Sequence, residues 1–134
     1  MAVATTDHLL ALTRKLLESI VAGDWKTYTS LVAYDITCFE PEARGQLVEG
    51  LPFHEFYFKL GAGGSKPAVT PTITLAAPNV RLLGEDAAVV AYMRMVQKLD
   101  DAGRPITVLC EETRVWQRID GAWRHVHFHR SLPG

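Results

Sequence analysis

The spacing of hydrophobic residues changes along the chain, from a repeat of three to four residues in the first half to alternation in the second. Between Thr6 and Ala22, leucine, isoleucine and valine recur at helical spacing, which predicts a long amphipathic helix. Thr6 or Asp7 suits the N-cap of this helix, and Gly23 suits the left-handed position that ends one. We therefore expect one face of an N-terminal helix to lie against the core.

Two shorter helices are predicted after the first. Asp24 can cap a helix whose apolar residues are spaced three or four apart and share one face. These residues are Trp25, Tyr28, Leu31 and Val32. Pro52 suits the first turn of a third helix, which is rich in aromatic residues over positions 53–58. A flexible, glycine-rich loop is expected at 61–65.

β-branched residues and alternating apolar positions characterise the second half of the chain. With one earlier segment, they predict strands near residues 36–40, 68–76, 79–84, 87–99, 106–118 and 122–130. Turn residues separate the later strands at 84–86, 100–103 and 120–121, although the strand register across the second turn stays open. Helices followed by an antiparallel meander indicate an α+β fold, with the helices packed on one face of a curved sheet.

Length and composition are those of one ordinary globular domain. The chain has 134 residues, of which 48% are hydrophobic and 22% charged, so a single domain over 1–134 can bury a sufficient core. The formal net charge of −1 argues against nucleic acid as a partner, because such binding needs a positive surface. Without a long apolar stretch or a basic leader, we expect no membrane partner and a cytoplasmic location. Cys38 and Cys110 lie in apolar segments and are expected to be buried, reduced thiols.

The last three strands each carry one arginine at a position that the alternation assigns to the core face. Arg94, Arg114 and Arg130 share parity with apolar or aromatic neighbours on their own strands. Because a guanidinium cannot lose its proton, a buried arginine needs an anion beside it. The arginines either line a pocket for a ligand carboxylate or phosphate, or pair with carboxylates of the chain. The candidate carboxylates are Glu40, Glu42 and Glu112.

The hairpin at 120–121 decides whether Arg114 and Arg130 face the same side of the sheet. A two-residue turn would put the two arginines on opposite faces. A three-residue turn moves the register by one residue and sets Arg114 opposite Val126. We predict the three-residue turn, because it places Val126 and Phe128 on the core face and leaves the neighbouring histidines outside.

Histidine and tyrosine side chains add further candidates. His125, His127 and His129 have a spacing that metal ligands could use, but we expect them on the solvent face without a metal. His54 lies among aromatic residues, which favours a core or pocket-lining histidine over a general base. Tyr28 is interpreted in the same way, as a core aromatic that could line a cavity. No catalytic triad, phosphate loop or dinucleotide motif appears, so no cofactor is expected.

Several segments together resemble the association (hub) domain of calcium/calmodulin-dependent protein kinase II, a member of the NTF2-like superfamily. The similarity extends over nearly the whole chain from about His8 onward. In the first half the matching segments are Gly23-Asp24-Trp25, Tyr28-Thr29, Phe39-Glu40-Pro41-Glu42-Ala43, Leu47-Val48-Glu49-Gly50 and Phe53-His54. In the second half they are Ala91-Tyr92 with Arg94, Gly103-Arg104-Pro105, Glu111-Glu112-Thr113-Arg114-Val115-Trp116 and Val126-His127-Phe128-His129-Arg130-Ser131.

The resemblance implies a cone-shaped α+β fold of the NTF2-like (cystatin-like) type, in which a long N-terminal helix packs on a strongly curved antiparallel sheet. It also implies a non-catalytic module that associates with itself, at least as a homodimer and, in the kinase, as a stacked double ring. Pockets in that family are lined by arginines, a histidine and a tyrosine, and they bind small carboxylates. The matching positions here are Arg94, Arg114, Arg130, His54 and Tyr28.

Other functions stay open, because the chain departs from the kinase. It has no glycine-rich nucleotide loop, no HRD or DFG motif and no basic calmodulin-target helix, so we expect no kinase activity. The segments at 61–64 and 76–78 also differ from the usual hub. One alternative is a small NTF2-like isomerase or dehydratase, in which the arginines anchor an acidic metabolite while His54 or a glutamate moves a proton. Another is a module that docks on a separate kinase.

Overall fold

The described part of the chain consists of three helices and one sheet of six strands. The computed structural model describes residues 2–62 and 70–133. The helices are α1 (Ala2–Ala22), α2 (Trp25–Leu31) and α3 (Pro52–Ala62). The strands are β1 (Val32–Phe39), β2 (Val48–Glu49), β3 (Thr72–Leu82), β4 (Ala87–Leu99), β5 (Pro105–Ile119) and β6 (Ala122–Ser131). A short 3-10 turn, Pro41–Ala43, lies between β1 and β2.

The strands form one sheet in the order β2-β1-β6-β5-β4-β3. Neighbouring strands are antiparallel except for β1 and β6, which are parallel, so the sheet is not the purely antiparallel one that was predicted. The helices come before the main meander, and the α+β fold class is confirmed.

Local signals in the sequence account for the ends of the helices. α1 starts at Ala2, earlier than predicted, and it ends where Gly23 adopts a φ of 67°. The Asp24 carboxylate accepts a hydrogen bond from the Thr27 N–H at 3.1 Å, which confirms it as the N-cap of α2. Pro52 is the first residue of α3, as predicted. None of the described helices is long and apolar enough to cross a bilayer.

Several predicted strand boundaries were wrong. β1 begins at Val32, which was predicted to lie on the preceding helix. The two strands predicted at 68–76 and 79–84 are one strand, β3, because a bulge at 77–78 interrupts its pairing with β4 without ending it. β2 was missed, since it pairs only two residues with β1. Residues 61–62 of the predicted glycine-rich loop end α3; the rest of that loop, and residues 68–69, lie outside the described residues.

The core lies between α1 and one face of the sheet. Leu9, Leu16 and Leu17 of α1 are fully buried, as is Trp116 of β5. The Trp116 indole N–H donates to the Thr13 hydroxyl at 3.1 Å, and that hydroxyl donates to the Leu9 carbonyl. A buried indole needs such an acceptor, so this pair of hydrogen bonds fixes α1 on the sheet.

The β5–β6 hairpin does not have the predicted turn. Ile119 pairs with Ala122, which leaves Asp120 and Gly121 as a two-residue turn. Their φ angles of 51° and 80° are both positive, as in a type I′ turn. The predicted three-residue turn is therefore wrong.

A bulge at Val126, and not the turn, shifts the pairing of β6 with β5 by one residue. The cross-strand pairs around it are Trp116 with His125, Val115 with His127, Arg114 with Phe128, and Glu112 with Arg130. Arg114 and Arg130 thus share the core face as predicted, although Arg114 lies opposite Phe128 rather than Val126. The same bulge leaves His125 on the core face, where it is fully buried, contrary to the prediction.

The β4–β5 hairpin has the register that the sequence left open. Leu99 pairs with Pro105 across a turn in which the Asp100 carboxylate accepts hydrogen bonds from the N–H groups of Ala102 and Arg104, at 2.9 and 2.8 Å. This register sets Arg94 directly opposite Cys110. It brings the arginine of β4 beside those of β5 and β6.

Candidate functional site

The predicted site residues lie on five different elements. Tyr28 is on α2 and His54 on α3, while Arg94, Arg114 and Arg130 are on β4, β5 and β6. Each guanidinium lies beside Glu112 or Cys110, the two β5 residues at the centre of this part of the sheet. Both cysteines are free and buried.

Glu112 is shared between two of the arginines. Its carboxylate lies 3.4 Å from Arg94 and 3.2 Å from Arg114, and it accepts a hydrogen bond from the Tyr92 hydroxyl at 2.5 Å. Burial alone would raise the pKa of Glu112, but Arg114 and Arg94 together hold that pKa below its ordinary value. Glu112 is therefore an ionised carboxylate inside the core, and it neutralises one charge of the two arginines.

The Arg114 guanidinium contacts both polar and aromatic side chains. Its Nε–H donates to the Tyr92 hydroxyl at 2.8 Å, and its guanidinium lies over the Phe128 ring at 4.6 Å from the centroid. Burial opposes its charge, yet Glu112 and Tyr92 keep the pKa of Arg114 above its ordinary value. Because the Arg114 side chain is only 2% exposed and is bonded in this way, its position within the cluster is fixed.

Arg130 has partners of a different kind, on the connection between β1 and β2. Its Nη2 donates to both carboxylate oxygens of Glu42 and lies 3.7 Å from a Glu40 oxygen. Burial and the neighbouring Glu42 both raise the pKa of Glu40. Arg130 also reaches the Cys110 sulfur, at 4.0 Å from Nη1.

The pairing of arginines with the chain's own carboxylates, one of the two interpretations that the sequence left open, is thus present for all three. The three arginines face three glutamates, and the cluster as a whole is balanced in charge. These glutamates are Glu40, Glu42 and Glu112.

A hollow of about 530 Å³ opens beside Arg130. Its described lining is mostly apolar, with Phe39, Pro41 and Leu132 among the walls, and Arg130 is one of the lining residues. Glu40, His129 and Ser131 complete the polar part of the lining. Of the five predicted site residues, Arg130 alone lines this hollow.

His54 and Tyr28 form an aromatic wall next to Arg114. The His54 ring lies 6.0 Å from the Tyr28 ring and 5.8 Å from the Phe128 ring, between centroids, and its Nε2 is 3.8 Å from the Cys38 sulfur. Burial, with a smaller contribution from Arg114, lowers the pKa of His54 to about 4. Burial also raises the pKa of the Cys38 thiol to about 12. Near neutral pH this wall is therefore uncharged.

The three histidines of β6 do not share one face. His125 is fully buried and its Nε2 lies 3.4 Å from Nη1 of Arg114, so it belongs to the arginine cluster. His127 and His129 lie on the opposite face, where His127 Nδ1 is 2.7 Å from the Thr37 hydroxyl. Among residues 2–62 and 70–133, no group of three metal-ligating side chains is arranged to hold an ion. Sequence reasoning missed His125 because it placed the histidine on the face opposite the core.

The family model that matches this chain is described as the calcium/calmodulin-dependent protein kinase II association domain, and it matches residues 5–134. The delta subunit of calcium/calmodulin-dependent protein kinase type II from Oryctolagus cuniculus is 48% identical over 128 residues. That match covers 96% of this chain and 24% of the rabbit protein, so the chain spans about a quarter of the length of that relative.

Solved structures agree with the sequence comparison. The kinase hub homology domain of Chlamydomonas reinhardtii is 46% identical, with a TM-score of 0.86, and the match covers 97% of this chain and 99% of that one. An NTF2-like superfamily protein from Salmonella enterica is 22% identical with a TM-score of 0.78, and the match covers 100% of this chain and 94% of that one. The second likeness shows the fold alone, and it confirms the predicted NTF2-like fold.

Proposed function

Because the chain belongs to the calcium/calmodulin-dependent protein kinase II association-domain family, we propose that it is a non-catalytic module that associates with copies of itself, at least as a homodimer. The observation that carries this proposal is an apolar sheet face that no described helix covers. A module of this kind holds together whatever is attached to it, and it needs no catalytic group of its own.

The uncovered face belongs to β4 and β5. Its apolar residues alternate with core residues along each strand, and none of them belongs to the described core cluster. They are Val89, Ala91, Met93, Met95 and Val115, and we call them the outer face. These side chains are half-buried within one copy, and a second layer over them would remove the rest of their surface from water. A second copy can supply that layer, since a two-fold axis pairs identical surfaces.

Light scattering on the purified chain at micromolar concentration tests this proposal. We expect a mass of at least twice that of the monomer, with a larger ring seen as a higher multiple. Val115→Glu places a charge on the outer face and should lower the mass towards that of the monomer. Ala11→Glu puts the same charge on the exposed side of α1 and should leave the mass unchanged. A wild-type protein that stays monomeric would contradict the proposal.

We further propose that Arg94, Arg114, Arg130, His54 and Tyr28 line a pocket that binds a small carboxylate. Guanidinium groups bind carboxylates through paired N–H donors, and an uncharged aromatic wall suits the apolar part of a small organic acid. Glu112 is only 2% exposed and is shared by two arginines. This makes Arg130, with its more exposed partners, the position at which a ligand carboxylate can exchange.

Isothermal titration with a small carboxylate such as butyrate tests the pocket. We expect binding to the wild type, and loss of binding in Arg130→Gln. Arg81→Gln removes the same charge from an exposed position on β3 and should bind as the wild type does. If neither butyrate nor any other small monocarboxylate binds the folded protein at millimolar concentration, the pocket proposal is wrong.

A further inference from the structure

His127 lies on the same side of the sheet as the outer face. It pairs directly with Val115 across β6 and β5, and the Cβ atoms of such a pair are about 5 Å apart. On β1, the Thr37 hydroxyl lies 2.7 Å from His127 Nδ1, and the centroid of the Phe39 ring lies 6.2 Å from that of the imidazole. These contacts hold the half-buried imidazole against the sheet, next to the apolar side chains that a second copy would cover.

A second copy that covers the outer face also covers His127. A stable dimer buries about 800 Å² on each partner. Even a large aromatic side chain buries only about 150–250 Å², so the five smaller, half-buried side chains of the outer face fall short of that area. The contact therefore has to extend to the side chains around them. His127 is the direct neighbour of Val115 on β6, so it lies inside such a contact.

A charged His127 finds no anion within one copy. Among the residues that the structure describes, no carboxylate lies within ion-pair distance of its ring. The ionisable residues of the surrounding strands that do not face the core are His129 and Arg124 on β6, Glu111 on β5, Glu49 on β2 and Asp35 on β1. Partial burial lowers the pKa of His127 below its ordinary value, and His129 lowers it further. A single copy thus already disfavours a charge on this imidazole.

We propose that His127 makes self-association sensitive to pH, because a second copy covers the imidazole only while it is neutral. The inference rests on the proposed association through the outer face. Covering the imidazole removes water from it, so its charged form is less stable in the associated state than in the free one. The pKa of His127 is then lower in the associated state, and association is strongest at higher pH and weakens as the pH falls.

Sedimentation velocity at pH values of about 7.5 and 5.5 tests this proposal. The quantity measured is the protein concentration at which half of the chains are associated. An imidazole with the ordinary pKa of about 6.5 is roughly nine-tenths protonated at the lower pH. Two such groups in a dimer should therefore raise this concentration by up to about a hundredfold. Circular dichroism at both pH values checks that the chain is folded.

Two variants fix the charge of this side chain in opposite states. His127→Gln is neutral at both pH values and can still form a hydrogen bond with Thr37, so it should associate at both as the wild type does at the higher pH. His127→Lys is positively charged at both, and it should associate at both as weakly as the wild type does at the lower pH. His8→Gln and His8→Lys make the same changes at an exposed position on α1 and should behave as the wild type.

The outcomes separate this inference from the association on which it rests. If the wild type associates equally at both pH values, or more tightly at the lower one, the inference is wrong although the association stands. It is also wrong if His127→Gln dissociates at the lower pH as the wild type does, since His54 and His125 are unchanged in that variant. A wild type that is monomeric at both pH values would overturn the association and the inference together.

Discussion

Replacing Glu112 by glutamine should destabilise the fold more than any other single change in the arginine cluster. Glu112 is the carboxylate that Arg94 and Arg114 share, and both it and Arg114 are 2% exposed. Glutamine keeps the size of the side chain and can still accept the hydrogen bond from Tyr92. The substitution therefore removes the charge and little else, and it leaves a permanent cation buried without its anion.

The magnitude follows from the two distances. At 3.2 and 3.4 Å, each ion pair has a gross attraction of roughly 5 kcal/mol at an effective dielectric constant of about 20. Much of that attraction is offset by the cost of removing the charges from water, and breaking one partner of a buried pair costs about 3–5 kcal/mol. For a domain of this length, such a loss lowers the melting temperature by roughly 10–20 °C.

Urea unfolding at a fixed protein concentration measures the effect, since association would otherwise shift the midpoint. Glu111→Gln, one residue away and exposed, is the control and should change the free energy of unfolding by less than about 0.5 kcal/mol. Replacing both Glu112 and Arg114 by leucine should restore part of the loss, because the more deeply buried of the two unpaired cations is then gone. The reasoning is refuted if Glu112→Gln is as stable as Glu111→Gln.

Two further predictions follow from the structure. His54 and His125 are buried with lowered pKa values, so the stability that depends on their neutral forms is complete above the unfolded pKa near 6.5. It should fall as the pH drops towards about 4, the pKa of His54, by up to about 1.4 kcal/mol per pH unit for each histidine. Equal urea midpoints at pH values of about 7 and 5 would contradict this linkage. Asp24→Ala removes the N-cap of α2 and should cost about 1 kcal/mol by thermal unfolding, whereas exposed Asp35→Ala should cost little; equal losses would speak against the cap.

Much of the fold could be predicted because the signals for it are local. Helical spacing and a glycine stop identified α1, and alternation gave the bounds of β4 correctly. The same alternation placed the three arginines on the core face, since parity along a strand needs no knowledge of its neighbours.

The register of β6 could not be derived in the same way. The predicted turn was one residue too long and the bulge in β6 was not predicted, and these two errors cancelled in the pairing beyond the bulge. Asp120-Gly121 is a favoured dipeptide of the two-residue type I′ turn, and the observed turn follows that preference. The shift comes instead from the bulge at Val126, which no local pattern marks. The burial of His125 depends on that bulge, so it could not be predicted from the sequence.

The bulge in β3 also limits the addition of a further strand at this edge of the sheet. β3 is the last described strand at its end of the sheet. The unpaired backbone groups of such an edge strand can form hydrogen bonds with a strand of another chain. Here Ala77 has a φ of 48° and Pro78 has no N–H to offer, while Arg14 donates to the Ile73 carbonyl at 3.2 Å. An approaching strand would find its hydrogen bonds interrupted partway along, so growth into open-ended fibrils is discouraged at this edge.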